Sequence, residues 1–98
     1  MTIEKKIENG NVTIKVSGRL DTTTAPELDK ALDSSLEGTK ELVFDMTNLE
    51  YISSAGLRVI LKAQKTMNRK GAMKLINVGE NIMEVFEITG FSDILTIE

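Results

Sequence analysis

The sequence contains no cysteine and no histidine, a single proline and few aromatic residues. A chain without cysteine forms no disulfide and carries out no thiol chemistry. Without histidine it also lacks the commonest general base of enzymes, and without either residue it lacks the usual ligands of zinc. These absences exclude thiol-dependent functions, catalysis with a histidine base and most zinc sites. We expect no metal site and no cofactor.

The sequence also lacks long apolar runs and an excess of positive charge. No apolar run approaches the roughly 18 residues that a membrane-spanning helix needs, so we expect no membrane insertion. Twelve basic residues stand against 15 acidic ones, a net charge of −3, which predicts no basic face for nucleic acid. The N-terminus has no basic region followed by an apolar core, as a signal peptide would have. A cytoplasmic location is the expectation.

The length and hydrophobic content suit one small α/β domain. With 98 residues, 41% of them hydrophobic, the chain can bury a single core, and we expect one domain over residues 1–98. Residues 2–17 predict a β-hairpin, because Val12, Ile14 and Val16 alternate with polar residues and Asn9-Gly10 suits a tight turn. The first strand is rich in charge, which is typical of a sheet edge protected from unwanted pairing.

Strands and helices alternate after the hairpin. Thr24–Glu27 resembles a capping box that opens a first helix ending at Gly38, and the apolar run 42–44 predicts a buried strand. A second helix is expected from about Ser54 to Lys70 with Gly71 as its end. A strand at 73–78 follows, then a helix capped by Asn81 and closed by Gly90, and a possible fifth strand near Leu95 and Ile97. This order predicts a mixed sheet of four to five strands with about three helices.

The stretch from Asp45 to Leu61 is the most informative part of the chain. It predicts a strand, a polar loop and a helix that opens on small residues, with Ser53 or Ser54 as the N-cap and Gly56 in the first turn. No acidic side chain stands where it could cover the amides of that turn. A bare helix N-terminus favours an anion, including a phosphate on one of its own serines. The simpler reading is that the serines are caps and that Gly56 allows close packing.

The segment Ser53–Leu57 resembles the Asp-Ser-Ser/Thr-Gly-Leu signature of the anti-sigma factor antagonists, which are bacterial members of the STAS domain family. In this alignment Ser54 falls on the phosphoacceptor position. The resemblance extends to Gly18–Asp21 after the second strand and to Thr89–Phe91 near the end, and so covers nearly the whole chain. Ser53 replaces the usual Asp, and Ala55 replaces the usual second hydroxyl, which leaves Ser53 as the alternative acceptor.

The resemblance implies a regulator and not an enzyme. The unphosphorylated protein would bind an anti-sigma factor that is also a serine kinase, and so release a sigma factor. Phosphorylation of Ser54 would end that binding, and a serine phosphatase would restore it. Asp21, Asp45, Ser53 and Gly56 would support the site, and the two carboxylates would lie beside the phosphoacceptor. The residues expected to contact the partner are Thr22, Thr23, Thr47, Leu49, Ile52, Ala55, Leu57 and Arg58.

Other interpretations remain open at this stage. STAS domains also serve as subunits or tails of transporters, including ABC systems, and such a domain would bind its partner whether or not Ser54 is phosphorylated. Asp21 and Asp45 could instead form a metal site or an acid/base pair, or Asp21 could be only a turn residue. A nucleotide-binding module is a weaker alternative, because the sequence has no glycine-rich phosphate loop with a lysine.

Overall fold

A computed structural model describes residues 1–34 and 36–98. It contains four strands and three α-helices, followed by a short 3₁₀ turn at Phe91–Asp93. In chain order the main elements are β1 (Thr2–Glu8), β2 (Asn11–Leu20), α1 (Ala25–Asp33), β3 (Glu41–Ile52), α2 (Ser54–Met67), β4 (Ala72–Ile76) and α3 (Glu80–Thr89).

The four strands form one mixed sheet in the order β1-β2-β3-β4. Strands β1 and β2 are antiparallel, whereas β2–β3 and β3–β4 are parallel. Asn9 and Gly10 both have positive φ, 49° and 84°, and close the hairpin as predicted. The predicted α/β fold with an opening hairpin is therefore confirmed, and so is the edge position of β1.

One face of the sheet is packed against the helices. In β2 the buried side chains of Val12, Ile14 and Val16 alternate with partly exposed ones, as expected for a strand with one side in the core. The helices contribute an apolar face each, and the largest fully buried side chains include Phe44 from β3 and Phe86 from α3. The opposite face of the sheet is mostly polar, although the partly exposed Val43 and Ile76 also lie there.

Strand β3 is much longer than predicted. Residues 46–52, expected to form a loop, continue the strand and pair with β2 up to Leu20 opposite Ile52. Two register shifts, between Lys15 and Ser17 and between Gly18 and Arg19, interrupt the pairing. These irregularities break the period of two, so that the buried residues Met46, Leu49 and Ile52 recur every third position. The loop prediction was wrong because this spacing hides a strand.

Two predicted helix caps are also wrong. The hydroxyl of Thr24 makes no cap and instead donates to the carbonyl of Arg19, at 2.7 Å. Helix α3 begins after Gly79, and the side-chain amide of Asn81 donates to the carbonyl of Glu50 on β3, at 3.1 Å. Each side chain satisfies a backbone group outside its own helix, which local sequence does not show.

Helices α1 and α2 end before the glycines that were predicted to end them. Helix α1 ends at Asp33, with Gly38 in a later turn at φ 78°, and α2 ends at Met67, before Gly71. Gly90 does end α3, in the left-handed conformation at φ 82°. The possible fifth strand is reduced to a single parallel bridge between Leu75 and Ile97.

Within residues 1–34 and 36–98, no helix is long and apolar enough to cross a membrane.

Candidate functional site

The two adjacent serines lie where β3 meets α2. The backbone N–H of Ser53 donates to the carbonyl of Leu20, at 2.9 Å, which joins this point to the end of β2. Ser53 is extended and Ser54 is the first residue of α2. Because Asp21 directly follows Leu20, the end of β2 and the start of α2 lie side by side. We call residues 21–23 together with residues 53–55 the serine site.

The structure distinguishes the two serines. Ser54 is exposed, whereas the Ser53 hydroxyl oxygen is buried and has no hydrogen-bond partner in the part of the chain that the structure describes. Ser53 occupies the N-cap position of α2 but makes no side-chain cap. No acidic residue lies in the first turn of α2. The helix N-terminus is therefore uncapped by side chains, and Ser54 is the hydroxyl that a partner can reach.

Replacing Ser53 by alanine is expected to leave the free energy of unfolding within about 0.5 kcal/mol of wild type, or to raise it. A serine that caps a helix loses about 0.5–2 kcal/mol on such a change, because a backbone amide loses its acceptor. The Ser53 hydroxyl makes no such bond, and removing a buried unpaired polar group relieves a desolvation cost. Urea denaturation measures the difference. A loss of about 1 kcal/mol or more would show that Ser53 caps α2 after all.

Gly56 allows the first turn of α2 to pack closely against the sheet. It is buried, and a Cβ atom at this position would lie 2.7 Å from Cγ of Leu20 and 2.9 Å from Cγ1 of Ile52. Both distances are shorter than real Cβ atoms tolerate. The close-packing interpretation of Gly56 therefore has a direct structural basis. This packing sets the start of α2 at the ends of β2 and β3, which places Ser54 beside Asp21–Thr23.

Asp21 organises the turn between β2 and α1. Its Oδ1 accepts hydrogen bonds from the backbone N–H groups of Thr23 and Thr24, at 3.0 and 3.1 Å. The bond from the Thr24 N–H is the main reason why the pKa of Asp21 lies below its ordinary value. The other carboxylate oxygen faces Arg19, 3.9 Å from its Nε. Asp21 thus serves as a turn residue and also brings a carboxylate to the serine site.

Asp45 lies elsewhere in the sheet. It pairs with Lys15 on β2, and Lys15 lies six residues before Asp21, which is about 20 Å along the backbone at the rise of a strand. Burial pushes the pKa of Asp45 upward, but hydrogen bonds from the Thr47 hydroxyl, the Thr47 N–H and the Asn77 amide outweigh this effect and lower it. The expectation that Asp21 and Asp45 flank the phosphoacceptor together is wrong, because the extended β3 carries Asp45 away. An acid/base pair or metal site built on both loses its geometry.

The predicted partner-binding residues divide into exposed and buried groups. Thr22, Thr23, Thr47 and Arg58 are exposed and Ala55 is half-buried. The exposed ones other than Thr47 lie at or next to the serine site; Thr47 instead binds Asp45. Leu49, Ile52 and Leu57 belong to the hydrophobic core. These three side chains hold the sheet and α2 together, and their contact with a partner stays a prediction.

A shallow groove continues the serine site between α1 and α2. Its lining is mostly apolar and includes one charged residue from each helix, Asp29 and Arg58. The full lining is Thr22, Ala25, Pro26, Asp29, Ala55, Arg58 and Val59. Three predicted partner residues, Thr22, Ala55 and Arg58, therefore share one surface next to Ser54.

Sequence reasoning missed a stacked pair on the other side of the serine site. The guanidinium of Arg19 lies over the ring of Tyr51, 4.1 Å from its centroid, and both side chains are exposed. They are cross-strand neighbours in the β2–β3 pairing, one residue before Leu20 and Ile52. The only available signal was a cation and an aromatic residue each directly before a core position, which becomes informative only once the register is known.

Comparisons with known proteins agree with this arrangement. The family model for the STAS domain matches residues 2–98. An anti-sigma-B factor antagonist from Staphylococcus aureus is 29% identical over 99 residues, covering 99% of this chain and 92% of the relative. A crystal structure of an anti-sigma factor antagonist from Mycobacterium paratuberculosis superposes with a TM-score of 0.89 at 22% identity, covering 98% of this chain and 83% of that one.

A second solved structure is the Bacillus cell fate determinant SpoIIAA in its phosphorylated form. It superposes with a TM-score of 0.78 at 15% identity and covers 99% of this chain and 91% of that one. At 15% and 22% identity the two superpositions establish only that the fold is shared. Membership of the family rests on the matched family model, and the sequence relative agrees with it. The chain belongs to the STAS domain family, the family of the bacterial anti-sigma factor antagonists.

Proposed function

We propose that this protein is an anti-sigma factor antagonist that acts by partner switching, with Ser54 as the switch. The unphosphorylated protein binds an anti-sigma factor through the serine site and the adjoining groove, and a sigma factor is released. The anti-sigma factor is also a serine kinase, which uses ATP to phosphorylate Ser54 and then dissociates. A serine phosphatase restores the first state. The observation that carries the proposal is an exposed serine at the uncapped start of α2 in a STAS chain.

The local structure suits a phosphate on Ser54. Such a group carries a charge of about −1.5 to −2 at neutral pH. At the N-terminus of α2 it faces the positive end of the helix dipole, with no acidic residue in the first turn to repel it. Arg58, one turn further along, adds a cation on the same helix. The fold therefore accepts the modification without rearrangement.

The same charge is unfavourable inside an interface. The groove beside Ser54 has a mostly apolar lining, and a partner packed against it would exclude water from the phosphate. The nearby carboxylates of Asp21 and Asp29 each face a cation, Arg19 at 3.9 Å and Lys62 at 2.9 Å, so the unfavourable effect comes from desolvation of the phosphate. A loss of a few kcal/mol of binding energy, about a hundredfold in affinity, is sufficient to separate two proteins. Phosphorylation thus changes the interaction and leaves the structure intact.

In this proposal the protein is a regulator in the cytoplasm and the substrate of a kinase, with no catalytic activity of its own. The chain offers no nucleophile paired with a base at the serine site, because the Ser53 hydroxyl is unpartnered within the described residues and Asp21 is engaged in its turn. In this proposal the kinase catalyses the phosphoryl transfer, and this chain supplies only the binding surface and the serine that accepts the phosphate.

Paired affinity capture from a lysate of the source cell tests the proposal. Wild type and Ser54→Asp serve as baits, and mass spectrometry identifies the captured proteins. We expect wild type alone to retain an ATP-binding serine kinase. After ATP is added, we expect phosphate on Ser54 and none on Ser53, because only the Ser54 hydroxyl is exposed.

Two outcomes would contradict the proposal. Capture of transporter subunits by both baits would identify the chain as a transporter-associated STAS domain in which Ser54 only begins a helix. Phosphate on Ser53 would place the switch on the neighbouring residue and require α2 to open before the kinase acts. A Thr96→Asp bait is the matched control, since it adds the same charge at an exposed position near the C-terminus.

A further inference from the structure

Strand β1 presents an unusual edge. It lies at one end of the sheet, and no strand of residues 1–34 and 36–98 pairs with its outer side. The opposite end is partly covered, because β4 bonds to the C-terminal segment through Leu75. Ile7 on β1 is a large apolar side chain that is 62% exposed. An edge of seven residues with an exposed isoleucine is a pairing surface unless its side chains prevent pairing.

The hairpin determines which backbone groups of β1 face outward. Its turn has two residues, so the flanking pair Glu8 and Asn11 is hydrogen-bonded, and hydrogen-bonded pairs then alternate along the ladder. Ile7 and Ile3 fall in the intervening pairs. Their N–H and C=O groups therefore point away from β2, toward whatever lies at the edge.

We propose that β1 pairs with β1 of a second copy of this chain, antiparallel, with Lys5 on the two-fold axis. In this register Ile3 lies opposite Ile7 of the second copy, and Lys5 lies opposite its own counterpart. The outward backbone groups of these three residues form six hydrogen bonds across the interface. Glu4 lies opposite Lys6 of the second copy, twice by symmetry. These two ion pairs occupy the closely spaced positions of the ladder, where side chains interact most.

The charges of β1 select this register over its neighbours. A shift that centres the axis on Glu4 places two glutamates opposite one another. A shift that centres it on Lys6 places two lysines together and Glu4 opposite Glu8. Like charges directly opposite are destabilising, so both shifted registers are disfavoured. The proposed register has one like-charged pair, Lys5 with Lys5 on the axis, and each of these side chains is directed toward Ser34 of its own chain. The charges that protect the edge against other strands are thus complementary to themselves in one arrangement.

The side chains on the helix side of the sheet agree with the same register. Ile7 of each copy packs on Ile3 of the other, which covers its exposed surface. The Lys5 side chain reaches Ser34 at the end of α1, with Nζ 3.4 Å from Oγ, and this takes its ammonium group away from the axis. The interface is small, so the dimer is a weak one. β2 separates β1 from β3, and the dimer leaves the serine site accessible.

Charge reversal with mixing tests the proposal by sedimentation velocity from about 10 µM to about 1 mM, the range suited to weak association. Wild type is expected to dimerise in this range. Glu4→Lys and Lys6→Glu alone each put like charges opposite one another, and the dissociation constant should rise about tenfold or more. An equimolar mixture of the two variants restores both ion pairs, and the heterodimer should form as readily as the wild-type dimer. Lys65→Glu, on the exposed face of α2, is the control and should dimerise like wild type.

Circular dichroism of each variant shows that it is folded, and recovery in the mixture excludes misfolding as the cause of the losses. A wild type that stays monomeric over the whole range overturns the proposal. A mixture that remains as dissociated as its components, or a Lys65→Glu variant as impaired as Lys6→Glu, overturns the register. The result does not depend on whether Ser54 is phosphorylated.

Discussion

Replacing Gly71 by alanine is expected to lower the free energy of unfolding by about 3 kcal/mol or more. A Cβ atom at this position would lie 1.9 Å from the carbonyl oxygen of Lys40, well inside van der Waals contact. The Lys40 backbone has no room to move, because its N–H donates to Gly10 and its carbonyl accepts from Ala72. Overpacking against a fixed backbone is among the costliest single substitutions. Urea denaturation measures the effect as a shift of the midpoint at constant slope.

Gly79→Ala is the matched control for this prediction. Gly79 precedes α3 with φ −70°, a conformation open to any residue, and its Cβ would meet only the Asn81 Oδ1 atom, at 3.4 Å. We expect a loss of less than about 1 kcal/mol there. If the two alanine variants are equally stable, Gly71 tolerates a side chain and the close approach to Lys40 has no energetic weight.

Gly71 also shows why part of the fold was predictable and part was not. The sequence correctly predicts the Asn9-Gly10 turn and the Gly90 cap, because in both places a local conformation with positive φ requires the residue type. Gly71 was predicted to end α2 by the same logic. The helix ends at Met67, and the position faces a backbone 31 residues earlier in the chain. A contact of that kind leaves no local pattern.

The extent of β3 was unpredictable for a related reason. Its second half pairs with β2 through two irregularities, and the buried Leu49 and Ile52 lose the alternation that marks a strand. This error propagated to the site. A loop would have allowed Asp45 to reach the serines, whereas a strand holds it beside Lys15.

The position of the two serines at the start of α2 was predicted, whereas the burial of one of them and the neighbouring stacked pair were not. The resemblance of Ser53–Leu57 to a known signature located the start of α2, and the structure places both serines there. The burial of the Ser53 hydroxyl and the stacking of Arg19 on Tyr51 depend on the register of β2 against β3. Neither is encoded by residues that are adjacent in the sequence.

A Ser54→Asp variant is expected to bind the proposed anti-sigma factor partner about a hundredfold more weakly than wild type, a loss of about 2.7 kcal/mol. The added carboxylate lies next to a mostly apolar groove and becomes desolvated when the partner docks. The free energy of unfolding should move the other way. An acidic residue at the start of a helix without first-turn carboxylates gains about 0.3–1 kcal/mol from the dipole. Titration calorimetry measures the binding and urea denaturation the stability.

The opposite signs of these two effects separate a switch from a structural defect. Ser54→Ala should bind like unphosphorylated wild type and remain bound when ATP is present, because it offers no acceptor. Thr96→Asp should change neither quantity, since it adds the same charge away from the groove. A Ser54→Asp variant that lost stability together with affinity would indicate a damaged fold. One that bound as tightly as wild type would show that charge at Ser54 does not control the interaction, and the proposed switch would be wrong.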